Sequence, residues 1–175
     1  MLCKRVSSKI SALKRISCYM SQEQCKAVAT SFVSSELNYC PLIWSFSSKT
    51  SVNRLQRLQT RTEKLFSSSD QVSIHRRNCE CLLKEVYKTK HSLNPPYMKD
   101  VFDFRDEIPY NTRGQCDMIR RHVNTTRHGL QTASYIGSQL WDTLPVSVRS
   151  SNSLASFVSQ VKGIPTLTCK CRFCT

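Results

Sequence analysis

Three cysteines near the C-terminus are the residues of this chain best suited to metal chemistry. They are Cys169, Cys171 and Cys174, spaced as CxCxxC. Thiolates at this short spacing bind Zn²⁺, and the neighbouring cations lower thiol pKa values. A closed structural zinc site takes four ligands, so the fourth would come from Cys116 or a histidine. The alternative is a frayed chain end with reactive thiols, so the motif is a candidate zinc site that still needs one ligand.

The residue pattern gives little support to catalysis. Two-metal phosphoryl transfer needs clustered carboxylates, whereas the 12 acidic residues are scattered and only Asp106 and Glu107 are adjacent. The histidines could each act as a base, but the sequence pattern indicates no partner residue for any of them. They are His75, His91, His122 and His128. No cysteine lies in a recognisable nucleophile setting. We therefore expect the chain to be non-catalytic by itself.

Composition restricts the class of partner. The 175 residues, enough for one domain or two small ones, carry a formal net charge of +14. Only 4 glycines are present, and their spacing excludes a dinucleotide-binding turn and a P-loop. No apolar run approaches the roughly 18 residues of a membrane span, and no signal-peptide core follows Met1. We expect a reduced chain in the cytoplasm or nucleus that binds nucleic acid; the alternative is a basic surface that is only solvated.

One helix concentrates part of this charge on a single face. Val52, Leu55, Leu58, Thr62 and Leu65 recur at helical spacing and predict a buried stripe. The cations recur at gaps of three, four and three, and fall within an arc of about 80°. These cations are Arg54, Arg57, Arg61 and Lys64. They predict a surface for a phosphate backbone; the alternative is a solvated helix face.

The remaining pattern predicts a mainly α protein with at most short strands. Helical spacing begins near residue 4, Ser21 and Gln24 form a predicted capping box, and Pro41 should break the second helix. Another helix should run from Ser73 to about Lys90. Weak strand signals occur at 118–119 and 132–136, and short amphipathic helices follow them. Residues 4–66 should pack as a small bundle, followed by a looser helical region.

Several short motifs resemble, in order, the region after the polymerase palm in reverse transcriptases of non-LTR (LINE-type) retrotransposons. The clearest are ELNYCPLIW at 36–44 and NRLQRLQ at 53–59, where the family has a tyrosine-cysteine pair, a tryptophan and "KLQKLQ". The others lie at 87–98 ("YK…GLAPPYL"), 110–113 ("YNLR"), 140–145 ("LWNSLP"), 153–157 ("SLSSFK") and 169–174 ("CPCRLC"). Their colinear succession covers nearly the whole chain and is more specific than any single motif.

The resemblance implies a thumb and a C-terminal connector without the catalytic palm. Residues up to about 66 correspond to the helical thumb, which packs against the template-primer duplex and gives the four cations a role. The family's paired catalytic aspartates belong to the palm, which precedes this region. In the family, a longer stretch usually separates the "KLQKLQ" helix from the next motif. The corresponding stretch of this chain, at 66–73, is short, which suggests a degenerate genomic remnant of a transposable element.

These observations predict three regions and two readings of function. The regions are a thumb-like bundle at 1–68, a connector at 69–163 and a Cys-rich tail at 164–175. The first reading is a fragment of an RNA-directed DNA polymerase that binds RNA or DNA non-specifically. The second is an interaction or structural remnant whose apolar helix faces once met an absent palm domain, with no nucleic-acid role.

Overall fold

The computed structural model describes residues 2–44, 48–66, 72–105, 118–120, 122–125, 128–171 and 174. The chain forms two compact units, residues 1–77 and 78–175. The predicted mainly α fold is confirmed, since helices dominate the described residues. Among them no helix has both the length and the apolar character needed to cross a bilayer.

Unit 1 is a helical bundle. Its helices are α1 (Leu2–Ile16), α2 (Gln22–Ala29), a π-helical segment (Thr30–Ser34), α3 (Ser35–Asn38), α4 (Pro41–Trp44) and α5 (Lys49–Glu63). The capping box predicted at the start of α2 is present: the Ser21 hydroxyl accepts from the Gln24 N–H, and the Gln24 side chain accepts from the Ser21 N–H. The predicted break before Pro41 is also present, because Tyr39 is extended and Cys40 has φ 44°.

The core of unit 1 is built from one face of each long helix. We call the consecutive elements α2, the π-helical segment and α3 (residues 22–38) the central helix. Val6 and Ile10 of α1 pack with Leu55 and Leu58 of α5. They also pack with Val33 and Leu37 of the central helix. The predicted stripe on α5 is confirmed for Val52, Leu55, Leu58 and Thr62, which are all buried. Two apolar residues of these helices point out instead: Ile16, at the last turn of α1, and Phe32 are exposed.

The π-helical segment explains why Phe32 leaves the core. The buried residues of this helix are Cys25, Ala29, Val33 and Leu37, each four positions after the last. In an unbroken α-helix such a spacing drifts by about 40° per step, because successive residues are about 100° apart. The wider π turn takes up part of this drift. It therefore keeps Val33 and Leu37 in the core and leaves Phe32 outside, where its ring lies under Lys9 Nζ.

Helix α6 (Ile74–Lys90) begins in the first unit and continues unbroken through the second. Two glutamines of α5 hold its start: Gln56 Oε1 accepts from the Ile74 N–H at 3.0 Å, and Gln59 Nε2 donates to the Val72 carbonyl at 3.1 Å. The helix predicted from Ser73 to Lys90 is thus confirmed. Leu82, Val86 and Tyr87 of this helix are buried, whereas Cys81 is half-buried.

Unit 2 packs its helices around aromatic side chains. The helices besides α6 are α7 (Ala133–Thr143), α8 (Val146–Arg149) and α9 (Leu154–Gly163). Tyr87 of α6 stacks on Phe157 of α9, Trp141 of α7 contacts the same ring, and the Tyr87 hydroxyl donates to the Ser151 carbonyl at 2.7 Å. Gly137 permits close packing here, because a Cβ at this position would lie 2.9 Å from the Phe102 ring.

The strand predicted at 132–136 was wrong. Thr132 caps α7 by accepting from the Tyr135 N–H, and Ile136 and Leu140 then lie on the buried face one turn apart. Burial of these side chains favours the helix over the β-branched, aromatic character of the segment. At 118–119 the described residues form only an isolated antiparallel bridge, between Phe104 and Met118.

Candidate metal centre and basic helix face

The C-terminal tail folds into a tight turn that brings two of its thiols together. The Cys174 N–H donates to the Cys171 carbonyl at 2.9 Å, which closes the turn. The Cys171 thiol donates to Cys174 Sγ at a sulfur–sulfur distance of 3.9 Å. Cys171 is buried, Cys169 is half-buried and Cys174 is exposed. The sulfur atoms of Cys171 and Cys174 therefore lie side by side.

His75, in the first turn of α6, lies beside these sulfurs. Its ring and the thiols of Cys169, Cys171 and Cys174 each offer one ligand atom, and the four atoms lie within 4.8 Å of one another. His75 is buried. It lies one turn before Cys79 on α6. The described residues thus contain a group of three thiols and one imidazole that could hold a metal ion.

The geometry of this group fits a four-coordinate metal. A tetrahedral ion with metal–sulfur bonds of about 2.3 Å places its sulfur ligands about 3.8 Å apart. The Cys171–Cys174 sulfur distance of 3.9 Å is close to that value. Three sulfurs and one nitrogen make a Cys₃His ligand set, which is one of the common structural zinc sites.

A further thiol, Cys79, lies at the edge of the group. It is buried on α6, four residues after His75 and so on the same face of the helix. The pKa of Cys169 responds to its neighbours: the hydrogen bond with Cys171 is the largest influence and lowers it. The hydrogen bond with Cys79 and burial outweigh that effect and raise the pKa of Cys169 to about 11. Without a metal, Cys169 is therefore a neutral thiol.

The sequence predicted the three tail cysteines but left the fourth ligand open. The structure brings Cys169, Cys171 and Cys174 together and adds His75 from the alternatives that were named. Cys116, the other named alternative, lies outside the described residues. Sequence analysis missed Cys79. Its spacing of four from His75 on a predicted helix was the available signal, although nothing in the sequence connected that helix face to the tail.

The four cations of α5 share one exposed face of unit 1. Arg54, Arg57, Arg61 and Lys64 are all exposed. They span about 15 Å of helix axis, and the centre of their arc lies about 140° from the centre of the buried face. Three of them line a shallow groove of about 550 Å³ together with polar side chains. The lining residues are Asn53, Gln56, Arg57, Thr60, Arg61 and Lys64.

No acidic side chain neutralises this face within the part of the chain that the structure describes. The sole acidic residue of α5 is Glu63, about 100° around the helix from Lys64. Its carboxylate accepts from Gln59 Nε2 at 2.8 Å. Elsewhere in the unit, Glu36 is held by Arg5 and Lys9. The α5 face therefore keeps its full positive charge, with hydrogen-bonding side chains beside it.

Comparisons of this chain with protein-family models, with curated proteins and with solved structures found no match. The resemblance to the retrotransposon family consequently depends on the sequence motifs alone.

Proposed function

We propose that unit 1 binds the sugar-phosphate backbone of RNA or DNA through the basic face of α5. The observation that carries the proposal is the group of four exposed cations within an arc of about 80°, with no acidic partner among the described residues. Cations at such spacing repel one another by a few tenths of a kcal/mol per pair, so the bare helix is slightly destabilised by them. A polyanion converts this repulsion into attraction.

Phosphate contacts give this binding a recognisable signature. Each phosphate that a cation neutralises releases condensed counterions, so the logarithm of affinity falls with the logarithm of salt concentration by about 0.9 per contact on duplex DNA. Asn53, Gln56 and Thr60 lie along the same groove and can hydrogen-bond sugar or phosphate oxygens. Non-specific affinity in the range of roughly 10⁻⁴ to 10⁻⁶ M is expected at physiological salt.

The test separates this face from bulk charge by comparing two variants with the same net charge. The first changes the face to glutamine: Arg54→Gln, Arg57→Gln, Arg61→Gln and Lys64→Gln. The control changes four other exposed cations of unit 1: Lys4→Gln, Lys14→Gln, Arg15→Gln and Lys26→Gln. Both lower the net charge of +14 by four. Fluorescence anisotropy with duplex and single-stranded RNA and DNA would be measured over a salt series.

We expect the face variant to bind much more weakly and to lose about three to four units of salt slope on duplex DNA. The control variant should keep most of its affinity and most of its salt slope. Equal losses in the two variants would mean that net charge alone drives binding, and absence of binding by the parent chain at low salt would reject the proposal.

The runner-up function, an interaction remnant without a nucleic-acid role, predicts a different salt response. Hydrophobic association survives high salt, whereas phosphate binding weakens. Exposed apolar side chains on unit 1, such as Tyr39 and Ile43, are the observation that favours it. Oligomers that persist at high salt, with no anisotropy change at low salt, would support this second reading.

In the proposed setting, the chain is the thumb and connector of a non-LTR reverse transcriptase and supplies binding rather than catalysis. The ordered motifs support this proposal, as does the position of the basic face on a bundle helix. Primer extension by the purified chain would contradict the non-catalytic part, because the family's metal-binding aspartates belong to the palm.

A second function is supported independently by the ligand group of the tail: we propose that it binds Zn²⁺. Three thiolates and an imidazole favour zinc over magnesium or calcium, which prefer oxygen ligands. Metal analysis of the purified chain should find one zinc per chain, and the variant Cys169→Ser/Cys171→Ser/Cys174→Ser should retain none. A parent chain without stoichiometric zinc, even after refolding with the ion, would reject this proposal.

A further inference from the structure

Cys171 and Cys174 meet the backbone requirement for an intramolecular disulfide. The hydrogen bond from the Cys174 N–H to the Cys171 carbonyl, at 2.9 Å, joins residues three positions apart, as in a β-turn. The first and fourth Cα atoms of a β-turn lie less than about 7 Å apart. Cysteines in a disulfide usually have Cα atoms about 4.4–6.8 Å apart, and more distant pairs need backbone movement before they can be bonded. The turn therefore brings the backbone of this pair to the separation that a disulfide requires.

The sulfur atoms of the pair are also close to each other. Cys171 Sγ and Cys174 Sγ lie 3.9 Å apart, whereas the sulfurs of a disulfide are about 2.05 Å apart. The remaining approach of about 1.9 Å belongs to the side chains rather than to the backbone. The sulfur separation and the backbone turn thus both favour a bond between these two residues.

The two thiols differ in accessibility, which sets the order of an exchange reaction. Cys174 is exposed, whereas Cys171 is only 2% exposed. Thiol–disulfide exchange passes through a mixed disulfide between protein and reagent, and it depends on access to the reacting sulfur. A small disulfide such as oxidised glutathione therefore reacts first with Cys174. Cys171, whose sulfur is 3.9 Å away, is then placed to attack the Cys174 sulfur of the mixed disulfide.

We propose that Cys171 and Cys174 are a redox pair, which oxidised glutathione closes into a disulfide, and that closure prevents zinc binding by the tail. In the first step Cys174 Sγ bonds one sulfur of oxidised glutathione, the glutathione disulfide bond breaks, and one reduced glutathione leaves. In the second step Cys171 Sγ bonds Cys174 Sγ, and the second reduced glutathione leaves. The protein loses two electrons and two protons, which the two glutathione molecules gain.

Closure of the pair removes two sulfurs from the ligand group of the tail. Zinc binds cysteine as a thiolate, and two sulfurs bonded to each other are no longer thiolates. The loss of zinc rests on the proposed zinc site, whereas formation of the disulfide does not. A reducing compartment, in which glutathione keeps thiols reduced, favours the zinc-binding form, and oxidation favours the disulfide.

Disulfide formation is tested on the full chain, freed of metal and incubated with mixtures of reduced and oxidised glutathione. Trypsin cleaves after lysine and arginine, so cuts after Lys170 and Arg172 place each of the three tail cysteines on a separate peptide. Mass spectrometry without reduction then identifies which peptides are bonded. In the parent chain we expect peptide 171–172 to be bonded to peptide 173–175.

Two variants separate this pair from the other tail thiol. The matched control Cys169→Ser should give the same bonded peptides at the same ratio of oxidised to reduced glutathione. Cys171→Ser should stop at the first step, with one glutathione on Cys174. A parent chain that keeps glutathione on Cys174, or that bonds Cys174 to Cys169 instead, would overturn the redox pair.

Zinc is measured separately, so that the two proposals fail in different ways. The reduced parent chain, loaded with zinc and then oxidised, should release its zinc to a colorimetric chelator and regain it after reduction with dithiothreitol. Zinc that stays bound after the disulfide has formed would overturn the effect of closure on the metal. A reduced parent chain that binds no zinc would reject the zinc site, and the bonded peptides alone would then decide on the redox pair.

Discussion

Glu36 shows how one residue can connect two helices of the N-terminal bundle. Its Oε1 atom accepts from Arg5 Nη2 and from Lys9 Nζ, each at 2.7 Å, so that α3 is tied to two successive turns of α1. The hydrogen bond from Lys9 is the largest influence and lowers the pKa of Glu36. Burial opposes it, and the positive charge of Arg5 lowers the pKa further. The folded bundle therefore favours the charged carboxylate.

Replacing Glu36 by glutamine should destabilise the bundle in a pH-dependent way. Because the folded-state pKa lies below the ordinary value of 4.5, the stabilisation is complete above that value and is lost as pH falls through the folded-state pKa. We expect Glu36→Gln to unfold at lower urea concentration than the parent at pH 7, with the difference shrinking as the pH falls below 4.5 through the folded-state pKa. Asp100→Asn, at an exposed position, is the control. A difference that persists unchanged at pH 3 would contradict the electrostatic explanation.

At the scale of elements, the π-helical segment decides which residues of the central helix face the core. Cys25, Ala29, Val33 and Leu37 would spread over about 120° in a continuous α-helix. If one residue of the segment were removed, the same four side chains would recur at gaps of four, three and four. They would then fall within about 60° on a regular helix. The segment is thus equivalent to one additional residue in an otherwise regular amphipathic helix.

Deleting Ser31 should therefore be tolerated. Ser31 is exposed, and its removal lets the helix continue as an α-helix with the same buried side chains. We expect thermal unfolding at a temperature equal to or above that of the parent. Deleting the exposed Arg57 from α5 is the control, because it rotates Leu58 and Thr62 by about 100° away from Val52 and Leu55 and should destabilise unit 1 strongly. A Ser31 deletion as damaging as the Arg57 deletion would contradict the interpretation.

Comparison of particular elements shows which parts of the fold the sequence could predict. The stripe on α5, the capping box at Ser21 and the bounds of α6 were all predictable, because helical spacing and capping are local properties. The exposure of Phe32 was not, since it depends on a π turn that no single-residue propensity encodes. Which of the named alternatives joins the candidate metal group could not be predicted either, because His75 and Cys171 are 96 positions apart in the sequence.

At the scale of the whole molecule, the net charge and the metal group are distributed differently along the chain. The net charge of +14 is shared by both halves, with +7 from residues 1–70 (11 basic, 4 acidic) and +7 from residues 71–175 (15 basic, 8 acidic). The excess of cations is therefore not confined to one end of the sequence, while the face on α5 supplies an ordered row of cations. The metal group instead combines side chains that are far apart in sequence, those of His75 and the three tail cysteines.

Zinc should accordingly stabilise the folded chain by linkage. An ion that binds the folded state raises the free energy of unfolding by about 2.7 kcal/mol when its free concentration is 100 times the dissociation constant. We expect the unfolding temperature to rise with added zinc and to fall after chelation. The variant Cys169→Ser/Cys171→Ser/Cys174→Ser should not respond to either treatment. An equal response in that variant would locate the stabilising ion elsewhere.

The two glutamines that hold the start of α6 have a consequence for how this protein can change over evolution. Gln56 accepts from the Ile74 N–H and Gln59 donates to the Val72 carbonyl, so side-chain hydrogen bonds from α5 hold the start of α6. Each doubling of that connection costs only about 0.6 kcal/mol of loop-closure entropy. Insertions and deletions can therefore accumulate between these two helices while the ends of the connection stay in place.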